Sequence, residues 1–211
     1  IDKKEVARQT TAFFFEKPKG FKFLPGQFVE IHLSKDLVHE FSIASSPKEK
    51  ELIITTRMRP SAFKNSLNNL KISSRVKIDG PFGQFVLHKN KKIPAVLLAG
   101  GIGITPFRSM IKNSVNRKIT LFYSNRKTKD AAFLDELKEL ENKNKDFKLV
   151  SIVTSLTSHI KPKMIKENIK DRQKAIYYAV GSTGFVQSMA NLLLEMKIKP
   201  ENIRTENFSG Y

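Results

Sequence analysis

No cysteine occurs anywhere in the 211 residues, which excludes disulfides, thiolate zinc sites and an iron–sulfur cluster held by this chain. Any such cluster has to sit on a partner. Acidic side chains are scarce too: 20 aspartates and glutamates face 38 lysines and arginines, for a formal charge of +18. A field of that sign raises encounter rates with nucleic acid, an acidic membrane surface or an acidic protein, although a lysine-rich genome would give the same excess. Long apolar runs are missing. The longest, Ile93 to Ile104, is cut by one proline and three glycines and is too short to cross a bilayer. Ile1 to Glu5 lack the basic-then-apolar pattern of a leader, which predicts a cytoplasmic protein. Histidine is sparse, and His32, His88 and His159 show no metal-ligand spacing, so no metal is expected.

What is present suits a globular chain. Hydrophobic residues make up 40% of it, enough apolar surface to offset the ordering entropy that keeps apolar-poor chains unfolded. The length allows two domains, each burying its own core. Up to about residue 89, short apolar stretches alternate with turn residues: Thr11–Phe15, Phe28–Leu33, Phe41–Ala44, Leu52–Thr56 and Val76–Ile78 are separated by Lys17-Pro18-Lys19-Gly20, Leu24-Pro25-Gly26, Ser45-Ser46-Pro47 and Asp79-Gly80-Pro81. This is the pattern of a small closed or sandwiched antiparallel β domain, with one helical insert over Ala62 to Leu70.

From residue 90 onward the rhythm becomes strand, helix, strand, helix. Ala95–Leu98, Ile119–Tyr123, Leu149–Val153 and Ala175–Val180 read as buried strands, and helical spacing is clearest in Phe133, Leu134, Leu137 and Leu140 and in Phe185, Met189, Leu192 and Leu193. That alternation predicts an α/β doubly wound parallel sheet, whose ligands sit at the carboxyl ends of the strands. Residues 1–89 and 90–211 are the expected domains.

The strongest local signal is Gly100-Gly101-Ile102-Gly103-Ile104-Thr105-Pro106, directly after an apolar strand. Glycines allow a tight turn and close ligand approach, Thr105 suits an N-cap, and Pro106 suits the first helical position. A helix start there favours a dinucleotide's pyrophosphate. Taken alone, the motif is also compatible with a plain strand-to-helix connection, and Pro106 replaces the last glycine of the usual dinucleotide fingerprint.

Five segments, in order, carry a wider resemblance: Pro25-Gly26-Gln27-Phe28, His39-Glu40-Phe41-Ser42-Ile43-Ala44-Ser45-Ser46-Pro47, Gly80-Pro81-Phe82-Gly83-Gln84-Phe85, Gly100 to Pro106, and Glu206-Asn207-Phe208-Ser209-Gly210-Tyr211. In order and spacing they resemble the ferredoxin–NADP reductase superfamily over essentially the whole chain. The resemblance implies a six-stranded antiparallel Greek-key barrel binding FAD, followed by an NAD(P)-binding domain. It implies a reductase moving hydride from NADPH or NADH to flavin and then electrons to an acidic carrier such as ferredoxin or flavodoxin.

By the same resemblance, Phe41 packs on the flavin, the Ser42 hydroxyl lies near its hydride-accepting N5, and Ile43 continues the strand. The family's arginine of this motif is His39 here, and a neutral imidazole lacks the two-pronged fork of a guanidinium. Thr56 and Arg57, with Arg59 beyond, end the next strand, and the arginines are expected to supply the missing charge. The family's glycine-x-x-serine phosphate motif at a helix start maps onto Phe63-Lys64-Asn65-Ser66. Phe63 then either lies against adenine or fills core, and the presence of this helix favours FAD over FMN.

The nucleotide domain is expected to hold NAD(P) with Gly100, Gly101, Gly103, Thr105 and Pro106, with Ser124 and Arg126 at the adenosine ribose, and with Gly181 and Ser182 beneath the nicotinamide. Val180 takes the family's cysteine position. A basic strand end accommodates a 2′-phosphate where an acid would bind the 2′-hydroxyl, so NADPH is favoured over NADH. The resemblance makes Tyr211 the aromatic that covers the flavin and Glu206 its polar neighbour. Two other readings stay open: a flavin-free interaction subunit that keeps the fold, suggested by His39, Phe63 and Val180, and a basic nucleic-acid-binding barrel. Against the second, the aromatics alternate as core residues instead of lying exposed between lysines.

Overall fold

The computed structural model describes residues 2–156 and 159–208. By their contacts they form two compact units, one of residues 2–86 with Thr105–Asn113, the other of Leu87–Ile104 with the described residues from Ser114 onward.

The first unit holds six antiparallel strands. β1 (Asp2–Ala7), β2 (Thr10–Glu16) and β5 (Glu51–Arg57) form one sheet in the order β1-β2-β5, and β4 (Val38–Ser42), β3 (Phe28–His32) and β6 (Lys77–Phe82) form another in the order β4-β3-β6. A bridge between Ile43 and Ile54 links the two, giving the expected barrel-like domain. Period-2 burial sets its register: Val29 and Ile31 point inward from β3 and join Phe13, Phe15, Phe41, Ile43, Leu52, Ile54, Phe63 and Leu67 in one core. The short α1 (Ala62–Asn68) is capped by Ser61, whose side chain accepts from the Lys64 amide.

In the second unit five strands, β7 (Ala95–Gly100), β8 (Ile119–Asn125), β9 (Phe147–Val153), β10 (Ile176–Gly181) and β11 (Ile203–Asn207), make one sheet in the order β11-β10-β7-β8-β9. Every pairing is parallel. Ala95 to Ala99 are fully buried, as a strand covered on both faces requires. The helices are α2 (Ile104–Asn113), α3 (Leu134–Lys143), α4 (Pro162–Asn168) and α5 (Thr183–Glu195). Among the described residues no helix is long and apolar enough to cross a membrane.

Several local expectations need correction. Thr105 is not an N-cap: a 3-10 turn over Gly101–Gly103 feeds directly into α2, so the helix has already begun at Ile104. Ser66 is not at a helix start. It is the fifth residue of α1, and Ser61 holds the cap. Phe133 is not helical but sits in the left-handed region at the head of α3. Two strands, β1 and β11, were not expected.

Candidate functional site

In the second unit, register gathers the predicted residues at the carboxyl ends of the strands. Glu206, Val180, Ala99, Tyr123 and Ser151 form one row across the sheet. The next residues along are Asn207, Gly181, Gly100, Ser124 and Ile152. Gly100, Ser124 and Gly181 thus stand side by side at the edge where ligands of such sheets bind.

The glycines there serve different ends. A Cβ on Gly103 would lie 2.2 Å from the Val180 carbonyl oxygen and 2.9 Å from the Gly181 amide nitrogen, so this position is closed by packing. Gly101 has φ +55°, and a Cβ there would meet nothing within 4 Å, so its backbone is both left-handed and open. Open backbone in the turn is what a phosphate can approach. Ser182 is the N-cap of α5, accepting from the Phe185 amide at 3.4 Å. Ser124 is buried, whereas Arg126 and Lys127 just beyond β8 are exposed. Glu206 is half-buried on β11, and Pro106 is buried in the first turn of α2. Tyr211 lies outside the described residues.

In the first unit, Phe41, Ser42 and Ile43 are buried at the end of β4. The His39 ring stands 5.5 Å from that of Phe41 and 5.3 Å, edge-on, from that of Phe63. Phe63 and Phe41 are 5.6 Å apart, and Phe63 belongs to the core cluster. Of the two roles open to Phe63, core filling is the one it has. His39 is exposed on β4, and partial loss of water around its ring, and then the Lys64 charge, lower its pKa below 6.5 against the pull of Glu40, a shift that favours the neutral imidazole. Lys64 is itself buried at 6% exposure, and burial and the charge of Arg59 lower its pKa.

Arg59, Lys64 and His39 therefore form an unbroken run of basic groups, each within electrostatic reach of the next. Burial is the main cause of the lowered pKa values of His39 and Lys64, and the neighbouring positive charge adds to it in each case, with Glu40 opposing it at His39; an anion placed among these groups would relieve that added repulsion. Lys64 escaped sequence reasoning because it is one of 38 cations and the family motif directs attention to its neighbours Phe63 and Ser66. Thr56 is fully buried and Arg57 half-buried at the end of β5, opposite Thr11 and Thr10 of β2.

Residues 97–191 match the family model for the oxidoreductase NAD-binding domain. The chain is 26% identical to flavohemoprotein A of Dictyostelium discoideum over 99% of its own length and 59% of that protein's. To the toluate 1,2-dioxygenase electron transfer component of Pseudomonas putida it is 27% identical, over 89% of this chain and 59% of that one. It thus spans less than two thirds of the length of these curated relatives. The structure of ferredoxin-NADP+ reductase from Plasmodium falciparum with 2′P-AMP superposes with a TM-score of 0.82 at 18% identity, covering 99% of this chain and 94% of that one.

Proposed function

We propose that the chain belongs to the ferredoxin–NADP reductase superfamily of FAD- and NAD(P)-binding oxidoreductases, whose fold it shares and whose NAD-binding family model matches residues 97–191, and that it is a flavoprotein reductase oxidising NADPH and feeding electrons to an acidic one-electron carrier. FAD, when bound, accepts two electrons together and releases them singly. The observation that carries this reading is the open left-handed Gly101 in a turn at the carboxyl end of β7, beside Ser124.

The donor set of the first unit fits FAD. Phe41 and Ser42 end a strand with their side chains tightly packed, and the basic run of Arg59, Lys64 and His39 answers the charge of a pyrophosphate. Lys64 takes over the charge that the family's arginine would bring to position 39, and Arg59, more than Arg57, seconds it. In this reading the chain needs no nucleophile. Its residues orient the two cofactors, an effect of proximity, with Ser42 as hydrogen-bonding partner of the flavin and Glu206 as a proton-handling group.

The preference for NADPH rests on Arg126 and Lys127 directly after β8, with the nearest acid at Asp130. A ferredoxin or flavodoxin suits the +18 charge as a docking partner. The test is an absorbance scan of purified protein, followed by stopped-flow reduction with NADPH against NADH and a salt series with an acidic carrier. Flavin bands, faster reduction by NADPH and a carrier rate that falls steeply with salt are expected. No flavin bands, even after reconstitution with FAD, would overturn the reading in favour of a flavin-free subunit.

A further inference from the structure

By its contacts, α2 from Thr105 onward belongs with the β-sheets of the first unit, although it grows directly out of the glycine turn Gly101–Gly103. The side chains that tie it there meet the segment just after β4. Residues 41 to 46 are all buried, so each of their backbone groups needs a partner. The Ile43 amide donates to the Gln27 carbonyl at 2.9 Å and the Ala44 amide to that of Ile53 at 2.7 Å. The Ala44 and Ser45 carbonyls depend on α2. Arg108 Nη1 donates to the Ala44 oxygen at 2.8 Å, and the Ser109 hydroxyl donates to the Ser45 oxygen at 2.6 Å.

Glu49 completes the arrangement. Its two carboxylate oxygens accept from Arg108 at 3.1 and 3.0 Å, one accepts from Lys112 at 2.9 Å, and the other accepts from the Ser46 amide at 2.6 Å. Burial alone would raise the Glu49 pKa, but the bonds from Arg108, Ser46 and Lys112 outweigh it and hold the group below 4.5. Arg108 is 6% exposed in this pair. A fork shared between a buried carbonyl and a half-buried carboxylate is strong and specific in direction.

We propose that Arg108, Glu49 and Ser109 form a positioning clamp through which a dinucleotide on the glycine turn tightens FAD binding at β4. This rests on the function proposed above. Both ligands favour the same docked α2: the dinucleotide because it fixes the start of the helix, FAD because Phe41 and Ser42 lead into carbonyls that α2 satisfies. Two ligands that favour one state bind with positive and reciprocal coupling.

The test titrates FAD into the full chain stripped of flavin, with and without saturating NADP+, following flavin fluorescence. In the wild type NADP+ is expected to tighten FAD by about fivefold or more, and FAD to tighten NADP+ by the same factor. Arg108→Met and Glu49→Gln should bring that factor to about one, and Arg108→Lys, which keeps charge but not the fork, should leave an intermediate value. Equal weakening of FAD with and without NADP+ in Arg108→Met, the factor unchanged, would show a merely structural residue and overturn the clamp. Should Arg108→Met not fold, Ser109→Ala, which removes one hydroxyl, decides by the same ratio: a reduced factor supports the clamp and an unchanged one overturns it. A wild-type factor of one sinks the clamp while the flavin reading stands. A wild-type chain that takes no FAD sinks both.

Discussion

Gly103→Ala should damage the protein before any ligand is added. The new Cβ would stand 2.2 Å from the Val180 carbonyl oxygen and 2.6 Å from its carbon, well inside the roughly 3.5 Å at which non-bonded heavy atoms sit comfortably. Val180 has no freedom to withdraw. It lies in β10, paired with β7 on one side and β11 on the other, so moving it strains two ladders. Overpacking a rigid site costs about 3 kcal/mol, and at about 2–4 °C per kcal/mol for a chain of this size the melting temperature falls by about 6–12 °C. Gly101→Ala is the control. With open space around it and φ +55°, it carries only left-handed strain of about 1 kcal/mol, or about 2–4 °C. Its expected effect is on NADPH affinity, since Gly101 is the approachable part of the turn. Calorimetry of the ligand-free variants, then NADPH titration, checks both. A Gly103→Ala protein that melts within about 1 °C of the wild type would refute the packing argument.

Lys64→Met keeps the buried volume but removes the cation, so FAD should bind about tenfold or more weakly, the worth of a charge-assisted hydrogen bond. In the same variant the His39 pKa should climb back toward 6.5, which a proton NMR titration follows. Arg126→Ala should weaken NADPH by about tenfold and leave NADH unchanged; equal effects on both would remove the 2′-phosphate role. His88 is buried against Tyr178 and Arg117, and burial, with the charges of Arg117 and Arg204 added, lowers its pKa below 6.5. A folded-state pKa below the unfolded one means that the unfolded chain takes up the proton first. Stability should therefore be full above 6.5 and erode as pH falls below it. Denaturant midpoints between about pH 7.5 and 5.5 should show that slope, and His88→Gln should flatten it.

Strands with a buried face declared themselves in sequence because alternation is visible along the chain. Phe13 and Phe15 in β2, Val29 and Ile31 in β3, and the apolar run of β7 needed nothing beyond their own spacing. β1 and β11 did not. Asp-Lys-Lys-Glu-Val-Ala and Ile-Arg-Thr-Glu-Asn are edge strands, the first charged along its exposed positions and the second polar at its own, Thr205 and Asn207; charge and polarity on an edge discourage pairing with other chains while hiding the strand from pattern reading. Their pairing comes from β2 and β10, which is tertiary information. The glycine turn was legible as a turn, yet spacing could not say that Gly103 is closed by Val180 while Gly101 is open. Nor could it show that a helix leaving that turn binds the carbonyls of Ala44 and Ser45, more than 60 positions earlier.

The two departures from the flavin motif that the sequence resembles make sense only together. Where the ferredoxin–NADP reductase pattern has arginine on the strand and glycine on the following helix, this chain has His39 and Phe63, and the two rings meet edge-on at 5.3 Å. A phenylalanine with 5% of its surface exposed anchors α1 in the barrel core, which a glycine does not do. That anchoring turns the next side chain, Lys64, into a buried position with a fixed direction, beside a neutral His39. On the proposed reading a cation delivered from the helix replaces one on the strand, and a second cation at the exposed position 39 would repel Lys64, a cost that a neutral imidazole avoids. On this view His39 is not a weakened arginine. It is the residue that a lysine at position 64 permits.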